Sequence, residues 1–500
     1  MKITKLKTIQ PQFHFIFDEY IYFFAFTLIT FTSVIPILSL ISHYFTRFFL
    51  LWGLVIILYK SIYKKQFFWK NHVVLGLFLL SYTITALVSQ TNFIGNMKTV
   101  LWLACFFYVC LDAFPHKEQE RNNQRFIVWA KTIIELTFTA SAISCMMYLT
   151  KFLQYIKTFR QDNQPVGLWG NRLVGVYIEA NFAALFALLS IGLSIFLLIA
   201  QKEQGMKVSK FYVINIVVQI FFSIWTLSRG GFVGFCVFLA AGSFFFFQYK
   251  GKNFFISVLA ALLSVTVYGG FFYVIPKITG YIPPIINAQI EKYIVINDAH
   301  RRLNEQGVFT RPDHIDPSRP YEQDVSDIIE GENNAEDPDF YKDISSGRLA
   351  AWKDAIAVWL KHPWFGVGDK NLSQYAAEIN PNGILAKSPS THNPFIRILV
   401  SSGAIGFVLF MFWLAAFLCK YLKQVQFSRA KNGDLKPGII LALLLGFLAS
   451  CFFLDALFLY VSCESVIFWG AAGYMFSFLP GSTDHKNQSC KSIMEKINWV

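Results

Sequence analysis

Charge is scarce in this chain, and that scarcity sets the first limit. Only 15% of the 500 residues are charged, 55% are hydrophobic and 54 are phenylalanine. Soluble domains average about 25% charged residues. A chain this apolar could not fold in water without exposing large hydrophobic patches. A soluble globular protein is thereby excluded, and a polytopic membrane protein is expected. Cysteine is equally uninformative as a scaffold. Cys105, Cys110, Cys145, Cys236, Cys419, Cys451 and Cys463 lie in or beside apolar runs and Cys490 lies in the tail. None falls in the long polar segment, so neither a disulfide framework nor a metal site is expected. The chain also lacks an internal repeat, a Gly-rich phosphate loop and Cys/His metal spacing. No small-residue cleavage site follows the first apolar run, which is expected to be a retained helix. A net charge of +13 raises nucleic acid as a partner. The basic residues lie in short pieces between apolar runs, however, and form no aromatic-interleaved stripe, so no nucleic-acid partner is expected.

What is present is a series of apolar runs. A helix needs about 20 residues to cross the hydrocarbon core. Twelve runs qualify or nearly do: 20–42, 45–63, 72–90, 97–114, 127–153, 179–200, 210–228, 231–248, 253–275, 398–421, 437–459 and 463–480. The expected fold is an all-α polytopic membrane protein with about 12 transmembrane helices, nine in residues 1–275 and three in 398–480. One large extracytoplasmic loop, 276–397, carries short interfacial helices, and 481–500 is a cytoplasmic tail. Lys and Arg counts set the orientation. With the N-terminus inside, 23 fall in cytoplasmic pieces, whereas Lys98, Lys157, Arg160, Arg172 and Arg229 are the five in short outer links. Both termini are therefore expected in the cytoplasm.

The outer loop begins with Pro276, Pro283 and Pro284, which discourage helix continuation. Residues 322–343 are acidic, with nine Asp and Glu against Lys342 alone. They read as a flexible, solvated insertion, and their spacing matches no calcium loop. Order is expected to return over 345–397. Ser346 is a plausible N-cap for a short helix on which Leu349, Trp352, Ile356 and Trp359 share one face. That helix is too short to span and suits the membrane interface. His362 and Pro363 stop it, and Gly366 and Gly368 turn the chain back. Thr391-His392-Asn393-Pro394 then opens the next span, where Asn393 can cap and Pro394 fits the first turn.

Few residues offer chemistry, and each has a plainer reading. Arg229 sits in a short link between two spans. It could snorkel to headgroups, but its planar donor fork also matches phosphate oxygens, and Gly230 and Gly231 allow another molecule to approach closely. Arg348 lies in a helix first turn, where free N–H groups suit an anion; a salt bridge to the acidic insertion is the alternative. His392 carries an imidazole, which titrates near neutrality and can accept a proton, although packing or capping of a helix start would explain it equally. Arg172, Glu179 and Asn181 place polar groups at the head of a span, where they are costly and often functional. A structural Arg172–Glu179 pair would account for them too. His362 and Trp364 read as turn residues.

These pieces have an order: Arg172-Leu-Val-Gly before Glu179-Ala-Asn181, Ser228-Arg-Gly-Gly231 between two spans, Ser346-Gly-Arg348 with Trp352, His362-Pro-Trp-Phe-Gly-Val-Gly368, then Thr391-His-Asn393. Over roughly residues 165–420 this resembles the O-antigen ligase and O-antigen polymerase superfamily of bacterial envelope glycosyltransferases. The resemblance implies an inverting, metal-independent GT-C-type enzyme of the bacterial cytoplasmic membrane that needs no cofactor. Its donor would be a glycan on undecaprenyl diphosphate. Its acceptor would be a lipid A core sugar for a ligase, another lipid-linked repeat unit for a polymerase, or a protein. Matched motif by motif, Arg229 and Arg348 would bind the diphosphate and His392 would be the general base. Two other classes compete. A lipid-linked sugar flippase would set charges around a midplane cavity, and a sensory protein would need no arginine and histidine at span ends.

Overall fold

The computed structural model describes residues 15–65, 72–89, 91–115, 118–157, 163–169, 172–280, 282, 348–388, 390–432, 434–454 and 457–478. The N-terminal tail, the acidic insertion 322–343, Ser346 with Gly347, and the tail 481–500 lie outside the described residues. The helices are α1 (Glu19–Phe31), α2 (Ser39–Ile62), α3 (Val73–Val88), α4 (Phe93–Cys105), α5 (Gln119–Leu149), α6 (Ala180–Glu203), α7 (Lys210–Trp225), α8 (Arg229–Tyr249) and α9 (Phe254–Thr279). After the undescribed loop come α10 (Arg348–Lys361), α11 (Leu372–Ile379), α12 (Ile384–Lys387), α13 (Pro394–Asn432), α14 (Lys436–Cys451) and α15 (Cys463–Ser477).

Polytopic helical architecture is what the composition requires, because hydrocarbon cannot satisfy backbone N–H and C=O groups and helices satisfy their own. Among the described residues, seven helices are long and apolar enough to cross a membrane: α2, α4 with its continuation to Ala113, α5, α6, α8, α9 and α13. Shorter apolar helices occupy four of the remaining expected runs, and α15 occupies the last. Some helix starts are capped by a side chain that accepts free N–H groups, as Asp18 does for Tyr20 and Ile21 and Asn253 does for Ile256.

Three departures from the sequence reading matter. First, the link between α5 and α6 is an antiparallel three-stranded sheet of β1 (Leu153–Lys157), β2 (Asn163–Trp169) and β3 (Arg172–Gly175), with Trp169 opposite Arg172. Second, the run 437–459 is helical only to Cys451, and the described residues between there and α15 are not helical. Third, α10 buries Ala351, Ala355 and Val358 and leaves Leu349 and Ile356 exposed. The small stripe faces inward because it must pack closely on Leu372, Ala376, Leu385 and Val400.

The long α13 is really two helices. Gly403, at φ 67° and ψ −175°, breaks it after Ser402. The break is filled by the stretch His362–Gly368. Val367 and Gly368 donate their N–H groups to the carbonyls of Val400 and Ser401 at 3.1 and 2.9 Å, and Ala404 donates to Pro363 O at 2.7 Å. The backbones come so close that a Cβ on Gly366 would lie 2.5 Å from Val400 O, and one on Gly403 would lie 2.2 Å from Trp364 O.

The interior is aromatic. Trp413, Trp469, Phe107, Phe126 and Tyr474 interlock, with Phe126 stacked on Tyr474 at 3.7 Å. In lipid such packing, rather than release of water, holds helices together. At the closest helix pair, α8 against α14, small residues replace the aromatics. A Cβ on Gly234 would sit 1.8 Å from Ser450 Oγ and 2.7 Å from Gly446 O. The starts of α6, α8, α13 and α15 share one end of the bundle with the end of α14. The other end carries the Lys60–Asp112 pair at 2.6 Å, His72 Nε2 at 3.0 Å from the same carboxylate, and Lys436 paired with Glu203. Substituting Gly234→Leu should separate α8 from α14 and cost about 1–3 kcal/mol from overpacking. A lowered thermal midpoint in detergent would show it, and an unchanged midpoint would contradict this packing.

Candidate active site

The shared end of the bundle gathers the candidate residues by a chain of short contacts. Leu227, at φ 47°, turns the chain out of α7, and Ser228 caps α8 by accepting from the Gly231 N–H at 2.9 Å. The Ser228 hydroxyl donates to Asn181 Oδ1 at 2.7 Å, and the Asn181 amide in turn donates to Glu179 Oε1. Arg172, at the start of β3, donates from Nε to Thr226 O at 3.2 Å. The heads of α6 and α8 and the strand before α6 are therefore one hydrogen-bonded unit, and Asn181 is its junction rather than an independent ligand candidate.

The two glycines after Arg229 serve the helices. A Cβ on Gly231 would lie 2.4 Å from Ala184 Cβ of α6, and one on Gly230 would lie 3.0 Å from Phe453 Cβ, just past α14. The expectation that they leave room for another molecule gives way to a tighter account: they wedge the start of α8 between two neighbours. Phe453 also lies under Arg348, whose guanidinium carbon is 5.6 Å from the ring centre, a cation–π distance. One aromatic thus links the heads of α8 and α10.

Arg172, Glu179, Arg229 and Arg348 lie within electrostatic reach of one another. Burial lowers the Arg172 pKa below the ordinary arginine value, Glu179 opposes that, and Arg229 and Arg348 add to the depression. Arg348 follows the same pattern: burial lowers it, Glu179 opposes and Arg229 adds. All three arginines remain charged at neutral pH. Three cations outnumber the carboxylates, Glu179 and the buried Glu464 beyond it, and the excess of positive charge in a partly desolvated place suits a multiply charged anion. The simple Arg172–Glu179 pair does not describe this arrangement, because Glu179 acts on both Arg172 and Arg348.

His392 is brought in along α10. Trp352, one turn beyond Arg348, donates from its indole to Thr391 O at 2.7 Å. Phe395 packs on Phe452 at 4.8 Å, next to Phe453. His392 is half-buried and has φ 47°, a left-handed conformation uncommon outside glycine. It is not the cap of α13. Asn393 is, with its Oδ1 accepting from Phe395 N at 3.0 Å and Ile396 N at 3.1 Å. His362 stacks edge-on to Tyr375 and belongs to the stretch that closes the Gly403 break.

Two residues of this region had no sequence signal strong enough to find them, and two more stood in the motifs without an assigned contact. Ser228 and Trp352 are the latter, bonded to Asn181 and to the Thr391 carbonyl; Phe453 looked like part of a span. Glu464, in the first turn of α15, is fully buried, with Ser462 and its own backbone N–H as its polar neighbours, and lies close enough to Glu179 for the two carboxylates to interact. An acid at the head of an apolar run was its only clue. Among the described residues, no group of three or more His, Cys, Asp and Glu converges as a metal site requires.

If Asn393 is the cap and His392 is held in a left-handed turn for another reason, stability should separate them. Asn393→Ala should destabilise by about 1 kcal/mol. His392→Gly should be neutral or stabilising, because glycine adopts this φ without strain. Thermal midpoints of both variants in one detergent check the contrast; a large loss in His392→Gly alone would return His392 to a structural role.

Comparison with known families reaches the same region. Residues 214–411, from α7 into α13, match the family model described as O-antigen ligase. This stretch contains Arg229, Arg348 and His392, whereas Arg172, Glu179 and Asn181 precede it. No curated protein matches the chain.

Proposed function

We propose, from the match of residues 214–411 to the O-antigen ligase family model, that this chain is a member of the O-antigen ligase and polymerase superfamily and an inverting membrane glycosyltransferase at the outer face of a bacterial cytoplasmic membrane. The lysine and arginine asymmetry orients both termini to the cytoplasm and the Arg172–Arg229–Arg348 end outward. The donor is a glycan on undecaprenyl diphosphate, and the acceptor is a hydroxyl of a second glycan, a lipid core sugar or another carrier. The product contributes to an O-antigen, capsule or exopolysaccharide.

The observation that carries this reading is the three-arginine cluster, which Glu179 offsets only in part. A diphosphate supplies the charge the cluster lacks. As the bond from the anomeric carbon to the diphosphate oxygen breaks, its electron pair leaves on the diphosphate, and fixed guanidinium groups stabilise that growing charge. His392 takes the proton of the acceptor hydroxyl, whose oxygen attacks the anomeric carbon from the opposite side. General-base assistance of this kind contributes about 10²–10⁴-fold. No metal is required, because the arginines already supply the positive charge.

The flippase reading has less support. The buried polar residues between α5, α6 and α7 are uncharged and bonded to one another. Ser141 donates to Gln219, Gln219 to Asn215, and Asn215 to Ser190 and Ser194. Such a network holds helices together and offers an ionic substrate nothing.

His392→Ala, Arg229→Ala and Arg348→Ala should each reduce transfer of the lipid-linked glycan at least about 10²-fold at unchanged membrane abundance. Analysis of lipid-linked and finished glycans from cells carrying each variant is the measurement. Near-normal product from all three would end this proposal. The accumulated intermediate separates the subclasses: long lipid-linked polymer in a null strain identifies a ligase, and single repeat units identify a polymerase.

A further inference from the structure

We propose that the buried Asp369–Arg397 ion pair is a positioning device for His392, acting on turnover rather than on donor binding. This rests on the reading of His392 as the base. Arg397 lies one turn into α13, and its N–H donates to Asn393 O at 3.0 Å, next to His392. Its Nε donates to Asp369 Oδ1 at 2.6 Å, with side chains 8% and 0% exposed. Lys370 Nζ lies 2.8 Å from the other Asp369 oxygen, and the Tyr460 ring flanks both cations. Burial would push the Asp369 carboxyl up, but Arg397 and Lys370 outweigh it and hold it below the usual carboxylate range.

The pair ties the His392 segment to a distant part of the bundle. Asp369 N–H donates to Tyr82 Oη of α3 at 2.9 Å, Lys370 N–H to Asn96 Oδ1 of α4 at 3.1 Å, and Asn371 Nδ2 to Ser89 Oγ at 3.1 Å. The segment from His392 to Ser402 is separated from the rest of α13 by the non-helical Gly403. Its far end is held through the Thr391 carbonyl. The Val400 and Ser401 carbonyls hold the segment near the break, and Arg397 is the ionic anchor toward its head, without which that head can shift and carry the imidazole with it. A buried ion pair is poor at adding stability, since desolvation offsets most of its attraction and apolar residues of similar volume often replace it at no loss. Its planar, directional guanidinium contact instead fixes an angle. A displacement of about 1 Å at a reacting group can cost about 10²-fold in rate.

The test compares purified full-length Arg397→Gln, Arg397→Lys, Asp369→Asn and the apolar pair Asp369→Val/Arg397→Met, with His392→Ala as reference. kcat, donor KM and thermal midpoint are measured for each on the lipid-linked donor. The expected result is a 10- to 100-fold fall in kcat for both neutral single variants, donor KM within about twofold, and partial recovery in Arg397→Lys. The apolar pair should restore the midpoint while kcat stays low, which separates positioning from folding should the single variants fail to fold. A stable apolar pair with wild-type kcat would overturn the proposal, as would a loss confined to donor KM. Retained turnover in His392→Ala would instead remove the reading of His392 on which it rests.

Discussion

Every backbone polar group near hydrocarbon must find a partner, and the break at Gly403 is where this protein meets that demand from outside the helix. A span interrupted after Ser402 leaves carbonyls at Val400 and Ser401 and an N–H at Ala404 without helical partners. The loop stretch His362–Gly368 supplies them through its own backbone. Gly366 and Gly403 make the contact possible, because any side chain at either position would strike the opposite backbone. The consequence reaches the site directly. The short helix before the break is free to take its own direction, and His392 sits at its head.

A second layer of positioning comes from packing without side chains. Gly234 lets α8 lie against α14, while Gly230 and Gly231 seat the start of α8 between Phe453 and Ala184. That seat fixes Arg229. Phe453, held by the same packing, lies beneath Arg348. Ser228, Asn181 and Glu179 then connect the heads of α6 and α8 by hydrogen bonds, so the Glu179 carboxylate is held where it acts on Arg172 and Arg348. A cluster of like charges at partial burial is unfavourable by itself. Its presence at one end of the bundle is best understood through a multiply charged anion that belongs there.

Asp369 shows how the two layers meet. It follows the stretch that closes the Gly403 break and pairs with Arg397 on the short helix that this break sets apart. Its own backbone N–H is bonded to Tyr82 of α3. The loop is therefore neither a cover nor a linker. It is the piece through which one side of the bundle holds the residues on the other.

The apolar runs, the scarcity of charge and the segregation of lysine and arginine determined a helical membrane protein by themselves, because each is a local property of composition that hydrocarbon enforces on any fold. Arg229, Arg348 and His392 stood out as candidates for the same kind of reason, since cationic groups and an imidazole at span ends are costly without a purpose. Other features were not legible in the chain. That Gly230 and Gly231 serve neighbouring helices, that α10 buries its alanines, and that Asp369 reaches Arg397 all depend on which distant backbone arrives alongside. No local pattern encodes such a meeting. Only the tertiary structure decided it, by close packing that admits a glycine where a methyl would collide and by hydrogen bonds between groups far apart in the chain.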